Sequence, residues 1–359
     1  MNIFSRYLIL NLFLGFAAAA ALLLPLFTTF DFISELDDVS SNGYHWSMAL
    51  IIVLLRLPRC LIDLGPFIAL LGGIVGLGQL SKSLELTAMR VVGFSIFRIG
   101  LVVLVAGLIL TTALSALDEW VASPLQQRAL QIKEAAIAQG DNPVSSENAL
   151  WARRNNEFVT VKALDSDNQP IGIEIFRYKP DLTLATYIYA EKGVVLKNGV
   201  WRLMGVNQKN WQDGKETTEL KPELQWHSIF TNASLKELFM PSDSFSVRQL
   251  NHYISYLQST DQPSSEFKLA LWQKSGRPIL IMAMILLSVP FTFSNPRAPG
   301  LGSRLAIGVI VGLLTYICYQ IIVNQGLLFT LSPPLITLAP PVILLLVALG
   351  LIYRFDRRH

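Results

Sequence analysis

The strongest constraint on this chain is a set of long apolar runs. Six of them reach the length at which an almost uncharged stretch reads as a membrane-crossing helix: roughly 7–30, 48–80, 96–117, 273–294, 304–324 and 335–353. Composition agrees, with 52% of the 359 residues hydrophobic, 15% charged and a mean hydropathy of +0.44. That balance is the profile of an integral membrane protein. The first run, Tyr7 to Phe30, is too long for a signal-peptide core and lacks a small-residue cleavage site before the acids that follow, so it is expected to remain as a helix. The second run is longer than the ~20 residues that span a bilayer, so it is expected to tilt or protrude. Cys60 and Cys318 both lie in apolar runs, where a stabilising disulfide is not expected.

Lys and Arg in the short connections set the orientation. Arg6 precedes the first span, Lys82, Arg90 and Arg98 follow the second, Arg297 and Arg304 lie between the fourth and fifth, and the chain ends in "YRFDRRH". Residues 31–47 hold Asp31, Glu35, Asp37 and Asp38 but no Lys or Arg, and 325–334 hold neither basic type. The basic segments share one side, the cytoplasmic one, which places both termini inside and the insert 118–271 outside.

The insert changes period. Asp118–Ala138 is polar and is expected to extend the third span as a helix. From about 149 to 230 the alternation is two, as in "VTVKA", "GIEIFRYK", "LATYIYA" and "VWRLMGV", with turn signals such as "DSDNQPIG" and "KNG" between. Asn198-Gly199 suits a two-residue hairpin turn. A small antiparallel sandwich or open barrel fits. "SVRQLNHYISYLQ" (246–258) reads as an amphipathic helix, with Ser246 and Gln249 at capping-box spacing and Leu250, Ile254 and Leu257 on one face.

Several chemistries find no motif. Gly214-Lys215 lacks the upstream glycine and the following Ser/Thr of a phosphate loop, so this chain is not expected to hydrolyse ATP by that route. His45, His227, His252 and His359 are scattered without metal-ligand spacing, and no G-x-S-x-G nucleophile appears. Arg56, Arg59 and Asp63 lie inside the second span; they either snorkel with an ion pair or line a cavity that receives an anion. Gly72-x-x-x-Gly76 and Gly308-x-x-x-Gly312 allow close helix approach, within the chain or to another subunit. Asp31, Glu35, Asp37 and Asp38 form an acidic collar expected to be a solvated face. Lys274 and Arg277 suit membrane anchors.

"SKSLELTAMRVVGFS" (81–95) is a short helix between two spans on the basic side. Ser81 or Ser83 can cap it, Glu85 and Arg90 suit its two ends, Gly93 can stop it, and Leu84, Ala88, Val91 and Val92 share a face. It is either a passive interfacial connector or a docking knob for a soluble partner.

Together "LLGGIVGLGQLSKSLELTAMRVVGFS", "DEWVASPLQQRA", "LNHYISYLQS", "LALWQKSGRPI" and "SPPLITLAPP", in that order, resemble the LptF/LptG permease family of the lipopolysaccharide export ABC transporter, nearest its LptG branch. The resemblance covers nearly the whole chain. It implies an α-helical membrane protein with six transmembrane helices and a periplasmic β-jellyroll inserted between the third and fourth. The implied division is 1–130 with a coupling helix at 81–93, then 131–245 as the jellyroll, then 246–359. The partners implied are an LptF-like permease, an LptB ATPase dimer, LptC with an LptA-like periplasmic bridge, and lipopolysaccharide; no nucleic acid is expected. ATP and Mg would be bound by the partner ATPase, with no cofactor, metal or catalytic residue in this chain.

The resemblance also assigns residues. ATPase coupling falls on Glu85 with Leu84, Ala88, Met89 and Arg90. Relatives carry bases near the outer end of span 1, where this chain has "TFDFISELDD", so the lipid-binding candidate moves to Arg59 after Pro58. Arg56, Arg128, Lys133 and Lys274 follow it. The family's gates at spans 1 and 5 put Gly308 and Gly312 at a subunit interface. The implied function is to extract lipopolysaccharide from the outer leaflet of the bacterial inner membrane and pass it to the bridge, Ile173, Ile175 and Ile188 lining a groove for acyl chains. A self-contained secondary transporter, a lipid-modifying enzyme and a membrane receptor with an extracytoplasmic β-domain are the alternatives; the first needs ionisable groups in several spans, where few stand besides those of the second, and the second needs a nucleophile or metal cluster that the sequence lacks.

Overall fold

The computed structural model of the protein describes residues 3–39, 44–138, 150–154, 156–165, 169–179, 183–196, 199–212, 215–228, 240–259, 264–293, 301–328 and 332–358. Asn198, in the predicted hairpin turn, and Arg297 lie outside them.

The apolar runs become α1 (Ile3–Leu36), α2 (Trp46–Asp63), α3 (Gly65–Lys82) and α5 (Ile96–Leu117), with the short α4 (Glu85–Val91) between the last two. After the β domain come α7 (Val247–Ser259), α8 (Ser265–Phe293), α9 (Leu301–Leu328) and α10 (Pro333–Arg358). Among the described residues five helices are long and apolar enough to cross a membrane, and α2 with α3 makes a sixth span if the bent pair counts as one. The chain is thus a multi-pass membrane protein with a β domain inserted in its middle.

The long second run does not merely tilt. It breaks at Leu64, and α2 and α3 meet at a bend of 63°. Gly65-Pro66 explains the break, because Pro66 at the first turn of α3 has no N–H to extend the α2 ladder. Leu64 closes α2 by donating to Cys60 O at 3.0 Å and starts α3 by accepting from Ile68 N at 2.9 Å. Pro58 inside α2 causes no comparable break.

Small residues set the spacing of the bundle. A Cβ on Gly76 would lie 2.7 Å from Asn11 O and one on Gly72 would lie 2.7 Å from Phe16 Cα, while Gly15 faces the backbone of Gly72 and Gly76. The first glycine pair therefore packs α3 on α1 within the chain. The second pair does the same on another side: Gly308 lies against Ile74 and Leu71, and Gly312 against Phe67 and Leu70. This corrects the expectation that Gly308 and Gly312 face another subunit. The side of α9 that remains open carries Ile310, Leu313, Leu314 and Ile321. α3 is the most buried helix, and α8 sets Ile281, Met284, Ile285 and Leu286 into the core that α1, α3 and α5 share.

The third span continues as a helix beyond its apolar run, as expected. A π-helical turn, Asp118–Ala122, joins α5 to α6 (Ser123–Ala138) without a break in the helix. Strands β1 (Leu150–Arg154), β2 (Glu157–Leu164), β3 (Pro170–Tyr178), β4 (Leu184–Val195), β5 (Val200–Gln212) and β6 (Lys215–His227) form one antiparallel sheet in chain order. The expected β domain is present, and its described strands form a meander.

That sheet is rolled. Pairing places Gly172 of β3 opposite Glu191 of β4, which faces Gly205 of β5, which faces Pro222 of β6. Gly172 (φ +64°) and Gly205 (φ +62°) adopt left-handed backbone in mid-strand, which only glycine enters cheaply. The strands bend along this row and inward parity changes across it: Ala190 and Val206 are buried on one side, Trp201 and Leu203 on the other. The roll brings β6 back to β2, where Trp226 Nε1 donates to Glu157 Oε1 at 3.0 Å. Inside, Val159, Val161, Ile173, Ile175 and Ile188 pack with Trp201 and Trp226, whose rings meet edge to face at 5.4 Å. The residues expected to line an acyl-chain groove thus lie in the packed core of the domain, with Trp201 and Trp226.

Replacing Gly76 by Leu forces α1 and α3 apart, and overpacking of this kind costs ~1–3 kcal/mol. A Cβ on Gly350 would meet nothing within 4 Å. Thermal unfolding of the detergent-solubilised protein is expected to show a lower Tm for Gly76→Leu and an unchanged one for Gly350→Ala.

Candidate functional site

Two ends of the bundle carry the chemistry. At the end from which the β domain rises, α2 lies along α6 and α1, meets the π-turn, and reaches α8 through charged side chains. Asp118 there is a shared carboxylate. Lys274 Nζ donates to its Oδ2 at 2.7 Å, and Arg59 Nη1 to its Oδ1 at 3.3 Å. Ser123 Oγ lies 3.4 Å from Asp118 Oδ1 and 3.3 Å from Lys274 Nζ. Lys274, Asp118 and Arg59 are all buried. Arg59 Nε also donates to Asp63 Oδ2 at 3.2 Å, and Arg277 Nη2 lies 2.9 Å from Asp63 Oδ1. Asp243 stands 3.9 Å from Arg59 Nη2. Arg59, Lys274 and Arg277 are thus matched by Asp63, Asp118 and Asp243, so the cluster is locally neutral. Such matching is what makes buried charge tolerable in a low-dielectric surround.

A second cluster lies further along α1 and α6. Glu35 is buried and takes a hydrogen bond from Tyr44 Oη at 2.9 Å and one from Arg56 Nη1 at 2.9 Å. Lys133 Nζ lies 2.7 Å from Glu35 Oε1 and 2.6 Å from Asp38 Oδ2. Burial and the adjacent Glu35 carboxylate push the Tyr44 phenol well above its ordinary range. The acidic collar therefore divides. Asp31, Asp37 and Asp38 stay exposed, whereas Glu35 is an interior anchor for α1, α2 and α6.

These contacts show where the expected lipid-binding bases lie in the fold. Arg59, Arg56, Lys133 and Lys274 all spend their charge on carboxylates of the same chain. Only the Arg59–Asp63 pair had a local signal in its i,i+4 spacing; Asp118 lies 59 residues from Arg59 and 156 from Lys274. Arg128 is exposed on α6. The base that was passed over is Arg277: its Nη1 is buried with no hydrogen-bond partner among the described residues, beside a cleft lined by Ile62, Leu114, Lys274, Pro278 and Ile281. The signal was its i,i+3 relation to Lys274, which puts both bases on one helix face.

At the other end, α4 follows α3 after a two-residue turn. Leu84 sits at φ +61° and precedes the helix without a side-chain cap. Neither serine caps it as expected; Ser83 Oγ turns back to Gln79 O at 3.2 Å. Glu85 is in the first turn, Arg90 in the last, and Gly93 (φ +96°) closes the helix by donating to Arg90 O at 2.9 Å. Leu86 and Met89 are buried in the bundle core, so Met89 faces the bundle and not the exposed ridge. Leu84, Ala88, Val91 and Val92 form the exposed ridge. Glu85 interacts with the Tyr7 hydroxyl, and Phe4 packs on Phe94 with ring centroids 5.7 Å apart, so α4 is tied to the start of α1.

Asp118→Asn strips two buried cations of their shared carboxylate. Breaking a buried pair this way costs ~3–5 kcal/mol, and removing the orphaned cation as well recovers part of the loss. Asp118→Asn is expected to lower the Tm in detergent, and the double variant with Lys274→Met to recover part of the fall.

This architecture has relatives. The family described as lipopolysaccharide export system permease LptF/LptG matches residues 6–354. The lipopolysaccharide export system permease protein LptG of Escherichia coli is 27% identical over 334 residues, covering 92% of each chain. The protein of the same description from Haemophilus influenzae is 27% identical over 330 residues, again with 92% of each chain covered. The match runs from the start of α1 to the end of α10, through bundle and β domain alike, and the chain belongs to the LptF/LptG family of permeases, nearest LptG.

Proposed function

We propose that the chain is the LptG-type permease subunit of an ATP-driven exporter. It takes lipopolysaccharide laterally from the outer leaflet of the inner membrane and passes it to a periplasmic bridge. Its partners are an LptF-like permease, a pair of LptB ATPase subunits that bind ATP and Mg, and LptC leading to an LptA-like bridge. Both termini and α4 are cytoplasmic, and the β domain is periplasmic.

The observation that carries this reading is α4. Leu86 and Met89 root it in the bundle core, while Leu84, Ala88, Val91 and Val92 stand outside as an apolar ridge between Glu85 and Arg90. A helix so short gains little from its own ladder, so its form depends on that rooting. Force applied to the ridge passes directly into α1, α3 and α5, whose side chains share the core with Leu86 and Met89. The ridge suits a groove on the ATPase, with α4 acting as the joint. Lipid recognition is assigned to Arg128, which is exposed, and to Arg277, which keeps its Nη1 open beside its pair with Asp63. The cleft beside it mixes Ile62, Leu114, Pro278 and Ile281 with Ser115, Asp118 and Lys274, and the open guanidinium donor is the group assigned to a lipid phosphate there.

Leu84→Asp combined with Val91→Asp is expected to abolish co-purification of the ATPase while membrane insertion stays intact; normal recovery of the complex would remove α4 as the joint. Arg277→Ala is expected to weaken lipopolysaccharide-dependent stimulation of the ATPase ~10-fold, the effect of losing one charge-assisted hydrogen bond of ~1.5 kcal/mol. An unchanged dose response would strike Arg277 from the site.

A further inference from the structure

The π-turn places two acids side by side and sends them to different partners. Asp118 belongs to the buried cluster with Arg59 of α2 and Lys274 of α8. Glu119, the next residue, reaches the start of α7. Its Oε2 accepts from Val247 N at 2.9 Å, and its Oε1 from Ser246 Oγ at 3.1 Å and Arg248 N at 3.4 Å. These groups belong to the first turn of α7, whose N–H groups have no partner inside the helix and whose dipole favours a carboxylate. Two residues of α6 hold the same place. Gln127 Nε2 donates to Ser244 O at 3.1 Å and to Gln249 Oε1 at 2.9 Å, and Gln126 Nε2 to Asp243 Oδ2 at 3.3 Å.

The position of these contacts matters more than their number. The chain leaves for the β domain through α6 and returns from it into the turn Ser242–Ser244 and α7. Glu119, Gln126 and Gln127 therefore fasten the returning leg to the outgoing one. The fastening point is also the residue next to the carboxylate that locks α5 to α2 and α8.

We propose that Glu119 is a positioning residue for substrate transfer: with Asp118 it makes the π-turn a two-sided clamp that joins the β domain's two legs to the outer ends of α2, α5 and α8. Consecutive side chains on a helix point to different sides, so Asp118 and Glu119 reach different partners from one turn. A displacement of α2 or α8 at the bend is then delivered to the β domain as a whole-body movement. This inference rests on the reading that the chain hands lipopolysaccharide to its β domain.

The test uses the full exporter with Cys60→Ala and Cys318→Ser in this chain and spin labels at two exposed positions, Ala135→Cys on α6 and Thr218→Cys on β6. Unchanged Glu119 is expected to give a narrow distance distribution and Glu119→Ala a broad one. Glu119→Gln keeps one acceptor oxygen and should fall between. Lipopolysaccharide released per ATP hydrolysed should drop ~2- to 30-fold in Glu119→Ala, the range that residues on a coupling path carry, with basal ATPase retained. An unchanged distribution overturns the clamp, and so does a loss of transfer matched by an equal loss of basal ATPase. An exporter that transfers no lipopolysaccharide even with Glu119 in place refutes the functional reading instead, and the distance distributions still judge the clamp.

Discussion

The carboxylate of Asp118 is the contact on which the outer half of the molecule depends. An isolated charge in an apolar surround is prohibitive, so Lys274 and Arg59 can be buried only where a carboxylate meets both. That requirement sets where α2, α5 and α8 approach one another. It also explains why the second apolar run breaks where it does. The bend after Asp63 swings Arg59 toward Asp118 and leaves Asp63 for Arg277.

The inner half is held by a different rule. Lipid tails offer no hydrophobic drive for helices to associate, so close packing decides. Gly15, Gly72 and Gly76 let α1 and α3 touch backbone to backbone, and Gly308 and Gly312 seat α9 on α3. These contacts orient what remains. With its glycine side turned inward, α9 presents Ile310, Leu313 and Leu314 outward, and α4 is left with its apolar ridge exposed at the end of the bundle. The β domain follows its own logic: a sheet in simple chain order encloses a core because two left-handed glycines let the strands bend, and the seam between β6 and β2 is closed by the Trp226–Glu157 hydrogen bond.

How much of this was legible in the chain follows from the range of each interaction. The third span, 96–117, is the observed α5, and α7 shows the predicted reciprocal cap, Ser246 N donating to Gln249 Oε1 at 2.9 Å and Gln249 N to Ser246 Oγ at 3.3 Å. Such features are made by residues within a few positions of one another. Strand β6 was harder to see, because "KETTELKPELQWH" alternates weakly and carries a proline. The break at Leu64 did have a local signal in Gly65-Pro66, overshadowed by the unbroken hydropathy around it. The site was the least legible part. Four bases that looked available for a lipid phosphate are paired, one to an acid four residues away but the rest to acids 21 or more positions distant.

The amino-acid sequence by itself determined the class of the molecule, its membrane-crossing segments, the inserted β region, the connector helix and the family, because hydropathy, period and local motifs are properties of neighbouring residues. Only the tertiary structure decided which charges are spent and which remain, which glycine faces are inside, and which residues of α4 look outward. Each of those depends on what a residue meets after the chain has folded back on itself. Where water is excluded, the partner and not the residue type decides whether a charge anchors the fold or awaits a ligand.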